Sequence, residues 1–290
     1  MKHAVMVMAH GNFSILKSMM KILDDERFDF YIHIDAKTET GGEERELLSI
    51  CKKSKVYLTQ RIAVYWGHYS QTQTQLLLIK AAMNNTEKYD YFHLVSGIDM
   101  PLKTPDEIDS FISKNIGSEF VTVWRTDNWR MKYKYPFIKK YKRSKNEIIN
   151  KVKKGLISRV LRLPRTKEAD IQKNKGWTVY CGDAWYSISY DLAEYLLFHE
   201  DEIMRYWKDC YIADECLLAT IVKNTPEFER KMYPTNTREI RWENCVPHIW
   251  TKSDLPYLYK STAIFARKFS LEHIDAVTQL EKELLKRKNA

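Results

Sequence analysis

A chain of 290 residues can bury a sizeable core, and a composition of 44% hydrophobic, 13% aromatic and 29% charged residues excludes an intrinsically disordered polymer. No apolar run reaches the roughly 20 residues of a membrane-spanning helix, and the five scattered cysteines (Cys51, Cys181, Cys210, Cys216, Cys245) form no C-x-x-C pair, so neither a disulfide framework nor a zinc site is indicated. The net charge of +9 leaves nucleic acid, anionic lipid headgroups and acidic polysaccharide open as partners.

The amino terminus "MKHAVMVMAHGN" runs straight into a short apolar strand, without the h-region and cleavage site of a signal peptide, and the expectation is a cytoplasmic chain with reduced thiols. After the strand "AVMVMAH", the segment "NFSILKSMMKILDD" places Ile15, Leu16, Met19, Met20 and Leu23 on one helical face. A strand "FDFYIHID", a short helix "EERELLSICKK" and a strand "KVYLT" follow, then a helix "SQTQTQLLLIKAAMNN" and a strand "YDYFHLVS". "TPDEIDSFISKN" predicts a helix with Thr104 as N-cap and Pro105 in its first turn, and "EFVTVW" a further strand. Strand and helix alternating in this way predict an α/β fold with a mainly parallel, doubly wound sheet and helices on both faces. One domain is expected, with a nucleotide-binding half over 1–125, a basic insertion over 126–176 and a second half over 177–290.

In such sheets ligands sit beyond the carboxyl ends of the strands. Those ends carry His10, Asp35, Lys37, Ser96 and Asp99, and His33 and Asp35 lie two residues apart on one strand face, where they can converge on one ligand. Each also has a local explanation: His10 can cap a turn, and Asp35 can cap the helix after it. No G-x-G-x-x-G follows the first strand and no G-x-x-x-x-G-K-[ST] occurs. "SGIDMP" has one acid where an Asp-x-Asp metal clamp needs two, so a bound diphosphate here would depend on cationic side chains.

Most of the excess charge lies between Arg130 and Lys175, where Glu147, Glu168 and Asp170 are the only acids. The piece "IINKVKKGLISRVLRL" combines an apolar helical stripe with a basic face, a pattern compatible with a membrane surface; a solvated insertion explains it equally. Beyond it, "WTVYCGDAWYSISYDLAEYLL" predicts two strands leading into a helix, with Trp185 at a turn among small residues. "YIADECLLATIVKN" places Asp214 and Glu215 at the mouth of an apolar helix, where carboxylates also suit capping and the helix macrodipole. Arg238, Arg241 and Trp242 follow, and then Arg267 and Lys268 in a short apolar strand "IFARKFS", whose simplest explanation is an edge strand with two exposed bases.

Four ordered blocks, "VYWGHYSQTQTQLLLIKAAMNN…YDYFHLVSGIDMPLKTPDEIDSFI", "GDAWYSIS", "ADECLLATIVKNTP" and "STAIFARKFS", resemble glycosyltransferase family 14, the core-2/I-branching β-1,6-N-acetylglucosaminyltransferases and protein O-xylosyltransferases, here as a bacterial member. The resemblance runs from "MAHGN" to Phe269 and implies a GT-A-like fold and an inverting, metal-independent transfer from UDP-GlcNAc or UDP-xylose, with no cofactor. It makes Glu215 the catalytic base, since inversion needs a carboxylate to deprotonate the acceptor hydroxyl. It gives Lys268 and Arg267 to the diphosphate, with Arg241 as a second phosphate-binding arginine in competition with Arg238. His10, Asp35, Trp66, Ser96 and Asp99 fall on the donor side, and Asp214, Trp185 and Trp242 on the acceptor or sugar side. Ala184 stands where many relatives carry Gln or Asp, which opens the sugar contact there.

The expected partners are thus a UDP-sugar and a glycan or lipid-linked acceptor in bacterial surface-polysaccharide synthesis. Residues 130–175 would touch an anionic inner-membrane surface, and nucleic acid is not expected. The rival reading is a basic αβ nucleic-acid-binding protein with aromatic stacking platforms and no transferase activity.

Overall fold

The computed structural model describes residues 1–126 and 170–289, except positions 209, 211 and 245. The basic segment expected over 130–175 therefore lies, up to residue 169, outside the described residues, together with its amphipathic piece and Cys245. In chain order the first half holds β1 (His3–Ala9), α1 (Phe13–Ile22), β2 (Phe28–Ile34), α2 (Glu43–Ser49), β3 (Val56–Leu58), α3 (Ser70–Met83), β4 (Tyr91–Ser96), β5 (Met100–Pro101), α4 (Pro105–Lys114) and β6 (Arg125–Thr126). The second half holds α5 (Ile171–Lys175), β7 (Tyr180–Cys181), β8 (Ser187–Ser189), α6 (Tyr190–Phe198), α7 (Glu200–Trp207), a 3-10 turn (Ala213–Glu215), α8 (Leu217–Asn224) and α9 (Pro226–Arg230). It continues with β9 (Arg238–Ile240), β10 (Trp242–Glu243), β11 (Val246–Pro247), α10 (Leu255–Leu258), β12 (Phe265–Arg267) and α11 (Ile274–Lys288).

The main sheet has the order β3-β2-β1-β4-β8, its first four strands parallel and β8 antiparallel to β4. Its central strands are apolar on both faces, as strands covered on both sides must be. Val5 and Val7 of β1 meet Ile15, Leu16 and Met19 of α1 on one side, with Ile108 of α4 and Leu280 of α11 in the same cluster. Ala4 and Met6 pack into the opposite cluster, with Leu78 of α3, Leu192 of α6 and Val222 of α8. This is the mainly parallel α/β sandwich expected from the alternation. Among the described residues no helix is long and apolar enough to cross a membrane.

Thr104 caps α4 as expected, in a full capping box: its side chain accepts from the Glu107 N–H, and Glu107 returns a bond to the Thr104 N–H at 2.7 Å. Two expected elements differ. "EFVTVW" is not a ladder, because its residues bond to different segments in turn: Glu119 bridges Met232, Phe120 bridges Ser187, and the Trp124 N–H reaches Cys181 O. Nor is β12 an edge: it lies between β5 and β9 in a three-stranded sheet, which is why its Phe265 is fully buried.

The two sheets are joined by Arg238 at the start of β9. Its guanidinium donates to Ser187 Oγ at 2.8 Å, Asn236 O at 2.7 Å, Leu94 O at 3.1 Å and Tyr186 O, and it lies over the Phe265 ring. Burial pushes its pKa down to about 9, so it is still protonated at neutral pH. Its two terminal nitrogens are thus engaged by acceptors inside the fold. Replacing Arg238 with an apolar side chain orphans those acceptors. We expect Arg238→Met to lose about 3 kcal/mol or more in urea unfolding, against ~1 kcal/mol for Thr104→Ala; equal losses would remove Arg238 as the joint between sheets.

Candidate active site

Beyond the carboxyl ends of β1, β2 and β4 lies a cavity of about 450 Å³. Eight of the residues singled out from the sequence line it: His10, His33, Asp35, Lys37, Trp66, Ser96, Trp185 and Arg267. Strand β1 delivers His10, β2 delivers His33 and Asp35, β4 ends on Ser96, and the second sheet contributes Arg267 from β12. His33 and Asp35 do share this face, as their spacing requires.

Asp35 closes a local turn. One carboxylate oxygen accepts from the Lys37 N–H at 2.9 Å and the Val64 N–H at 3.4 Å, and Lys37 Nζ lies 3.0 Å from the other. Burial would raise this carboxyl, but the bonds from Lys37 outweigh it and hold it below the usual range. It is not a helix cap, because α2 begins only at Glu43. His33 accepts the Ile62 N–H on Nε2 at 3.0 Å, and burial pushes its pKa down to about 4. The ring is therefore neutral, with its one hydrogen on Nδ1.

Arg267 is placed by a buried acid. Asp99, 2% exposed, accepts from the Ser96 N–H and the Ser96 hydroxyl at 2.7 Å each and from Arg267 Nη1 at 2.9 Å. The guanidinium then stacks 4.4 Å from the centre of the Trp185 ring, a cation–π contact that fixes the indole at the cavity wall. Lys268 is the next residue, half-buried; its backbone carbonyl accepts from the Trp250 N–H at 3.0 Å, and its side chain is not part of the lining.

Asp214 and Glu215 sit in the 3-10 turn before α8, outside the lining. Asp214 is 6% exposed and does not cap a helix: Gln71 Nε2 draws its carboxylate toward the cavity at 3.0 Å. The Glu215 carbonyl accepts from the Gly182 N–H at 2.8 Å. The glycine of "GDAW" is required by a second neighbour: a Cβ at position 182 would stand 1.8 Å from Thr122 O, so only glycine allows this close approach. Among the described residues no three His, Cys, Asp or Glu side chains gather as metal ligands.

Arg241 and Trp242 are not brought to the cavity. Arg241 bridges Asp254 at 3.1 Å and lies against the stacked pair of Trp250 and Tyr257, 4.8 Å and 5.0 Å from their ring centres. Trp242, 58% exposed, rides on the β10–β11 hairpin, which His248 ties down by bonding Glu243 and Asp254 at 3.0 Å each. Sequence reasoning missed Gln71 and Thr38 in the lining. A signal for Gln71 existed: "SQTQTQ" opens a helix in which Ser70, Thr72, Thr74 and Gln75 are buried, polar side chains where an apolar face would serve packing better.

The family model for the Core-2/I-Branching enzyme matches residues 4–277. Among curated relatives, xylosyltransferase 2 of Rattus norvegicus is 25% identical, over 92% of this chain and 32% of that protein. Xylosyltransferase 1 of Homo sapiens is 24% identical, over 92% of this chain and 28% of its own length. The chain thus spans about a third of the length of these relatives. Among solved structures, apo mouse xyloside xylosyltransferase 1 aligns over 94% of this chain and 98% of its own at 10% identity, with a TM-score of 0.39. The Staphylococcus aureus TarS structure in complex with UDP aligns over 44% of this chain and 36% of its own at 14% identity, with a TM-score of 0.31.

The hairpin gives a pH signature. Hydrogen bonds to Asp254 and then Glu243 raise the His248 pKa despite partial burial. A raised folded value stabilises fully below the unfolded value of about 6.5 and loses that stabilisation as pH rises through the folded value. The stability difference between the wild type and His248→Asn, at most about 1 kcal/mol, is expected to shrink from pH 6 to pH 9 in urea titrations; a constant difference would remove the ion pair from the hairpin.

Proposed function

Given that the chain belongs to the Core-2/I-Branching enzyme family, we propose that it is an inverting, metal-independent glycosyltransferase on a GT-A-like fold. In this reading it moves GlcNAc or xylose from a UDP-sugar to a hydroxyl of a glycan or lipid-linked acceptor. The observation that carries this reading is the cavity at the strand ends, with Asp35, Ser96, Trp66 and Arg267 in its wall and the Asp214–Glu215 turn tied to that wall through Gln71.

Glu215 removes the proton of the acceptor hydroxyl as that oxygen bonds to the anomeric carbon from the face opposite UDP. The bond between the anomeric carbon and the diphosphate oxygen breaks, and its electron pair leaves on the β-phosphate. Lys268 meets that charge, with Arg267 beside it, as a preorganised cation does for any departing anion. In this proposal cationic side chains take the place of a metal at the diphosphate, while Asp99, the one acid of "SGIDMP", holds Ser96 and Arg267. His33, neutral, and the Asp35 turn suit the nucleoside end, where fixed donors and acceptors read a base and ribose. Contact of residues 130–175 with an anionic membrane, and a place in bacterial surface-polysaccharide synthesis, belong to the same proposal.

Transfer from UDP-GlcNAc or UDP-xylose is expected to persist in EDTA, and Glu215→Gln to lose about 10²–10⁴-fold in kcat while still binding UDP. A metal requirement, or full activity of Glu215→Gln, would overturn the mechanism. Lys268→Ala is expected to weaken UDP binding by roughly 10-fold in calorimetry; unchanged affinity would take it out of the diphosphate site.

A further inference from the structure

The turn that carries Glu215 is held from outside its own helix by a closed ring of hydrogen bonds. Gln71, in the first turn of α3, donates from Nε2 to Asp214 Oδ2 at 3.0 Å. Its Oε1 accepts from the Gly67 N–H. The Gly67 carbonyl in turn accepts from the Ile212 N–H at 2.8 Å, which leads back along the chain to Asp214. Gln71 and Trp66, the neighbour of Gly67, both line the cavity.

We propose that Gln71 is a positioning residue: it fixes the direction of the Glu215 carboxylate by holding Asp214, and it couples that direction to the Trp66–Gly67 loop at the cavity wall. This rests on the reading of Glu215 as the base. The chemistry of the position is narrow. The side chain must accept from a backbone N–H and donate to a carboxylate at the same time, and an amide does both. A glutamate keeps the first bond but sets a charge against Asp214, a lysine keeps only the second, and an asparagine is one methylene short. Asp214 is 6% exposed, so the donor it receives from Gln71 replaces hydration that burial has removed. The loop that carries Trp66 and the turn that carries Glu215 thereby share one hydrogen-bonded frame.

The test compares Gln71→Met, Gln71→Glu, Asp214→Leu, the Gln71→Met/Asp214→Leu pair and Glu215→Gln, reading release of UDP from UDP-GlcNAc or UDP-xylose, UDP affinity by calorimetry and the melting temperature. Gln71→Met is expected to lower kcat by about 10- to 100-fold, the cost of a misplaced catalytic group, with UDP affinity changed by less than about 3-fold. The paired variant is expected to lose no more than the worse single one, because both break the same link. Gln71→Glu is expected to lose as much as Gln71→Met at pH 8, and to recover relative to wild type as the new carboxyl protonates and donates again. A Gln71→Met enzyme within about 3-fold of wild-type kcat, additive losses in the pair, or a Gln71→Glu ratio that ignores pH would each overturn the proposal. If Gln71→Met fails to fold, the pH response of Gln71→Glu decides it alone. Glu215→Gln separates the two readings: inactive Glu215→Gln beside active Gln71→Met sinks only the positioning role, whereas active Glu215→Gln sinks the base.

Discussion

The buried guanidinium of Arg238 is the constraint on which the rest of this molecule depends. It stands at the start of β9, reaches carbonyls of β4 and of the residue before β8, and so fixes the three-stranded sheet against the five-stranded one. A charge in such a place is costly unless its donors find acceptors; both terminal nitrogens of Arg238 do, while Nε has none among the described residues. The polar chain runs further. Arg238 bonds Ser187, Ser187 bonds His93 at 2.7 Å, His93 bonds His3 at 3.0 Å, and His3 bonds Asp109 at 3.1 Å. Burial lowers both histidine pKa values, that of His3 to about 4, so both rings are neutral. The carboxylate at the far end then sets the direction: His3 donates to Asp109, His93 to His3, and Ser187 to His93. A polar wire through the core holds its members in one arrangement, which an apolar filling would not do.

What Arg238 positions is the strand beside it. β12 runs parallel to β9 and carries Arg267 to the cavity wall at the ends of the main strands, with Lys268 next along the chain and outside that lining. The two cations differ. Arg267 is held by Asp99 and spends its flat face on Trp185, so it serves the shape of the wall as much as its charge. Lys268 is a compact point charge on a flexible stem, without the planar fork that lets Arg267 stack on an indole.

The layout of the sheet was legible because alternation of buried strands with amphipathic helices has few compact solutions. The capping box at Thr104 could be read locally, since both of its partners lie within four residues. Asp35 and Ser96 could be placed because strand ends converge in a parallel sheet, whereas Arg267 is reached only through the family resemblance. The rest required contacts between distant segments. Whether "IFARKFS" lies at an edge depends on β5 and β9, and whether Asp214 caps its helix depends on Gln71. Arg238 and Arg241 look alike in sequence. One is sealed among carbonyls and the other lies against the Trp250–Tyr257 pair at the base of a hairpin, a difference that appears only when Leu94 and Tyr186 are brought alongside.

The antiparallel strand β8 and the central strand β12 both come from the later part of the chain, yet they complete sheets begun before residue 102. Met100 pairs with Ala266, and Tyr91, already paired with His3 on one side, meets Ser189 on the other. During synthesis, then, the parallel strands leave the ribosome with the outer edge of β4 bare, and β5 waits for nearly the whole remainder of the chain. Such distant pairings make folding slow, because loop closure must precede any gain from contact. An unpaired strand edge is also a site of aggregation while it waits. The wall that seats Arg267 is thus among the last parts of the molecule to take shape, and the cell's handling of the nascent chain bears on how much of it ever does.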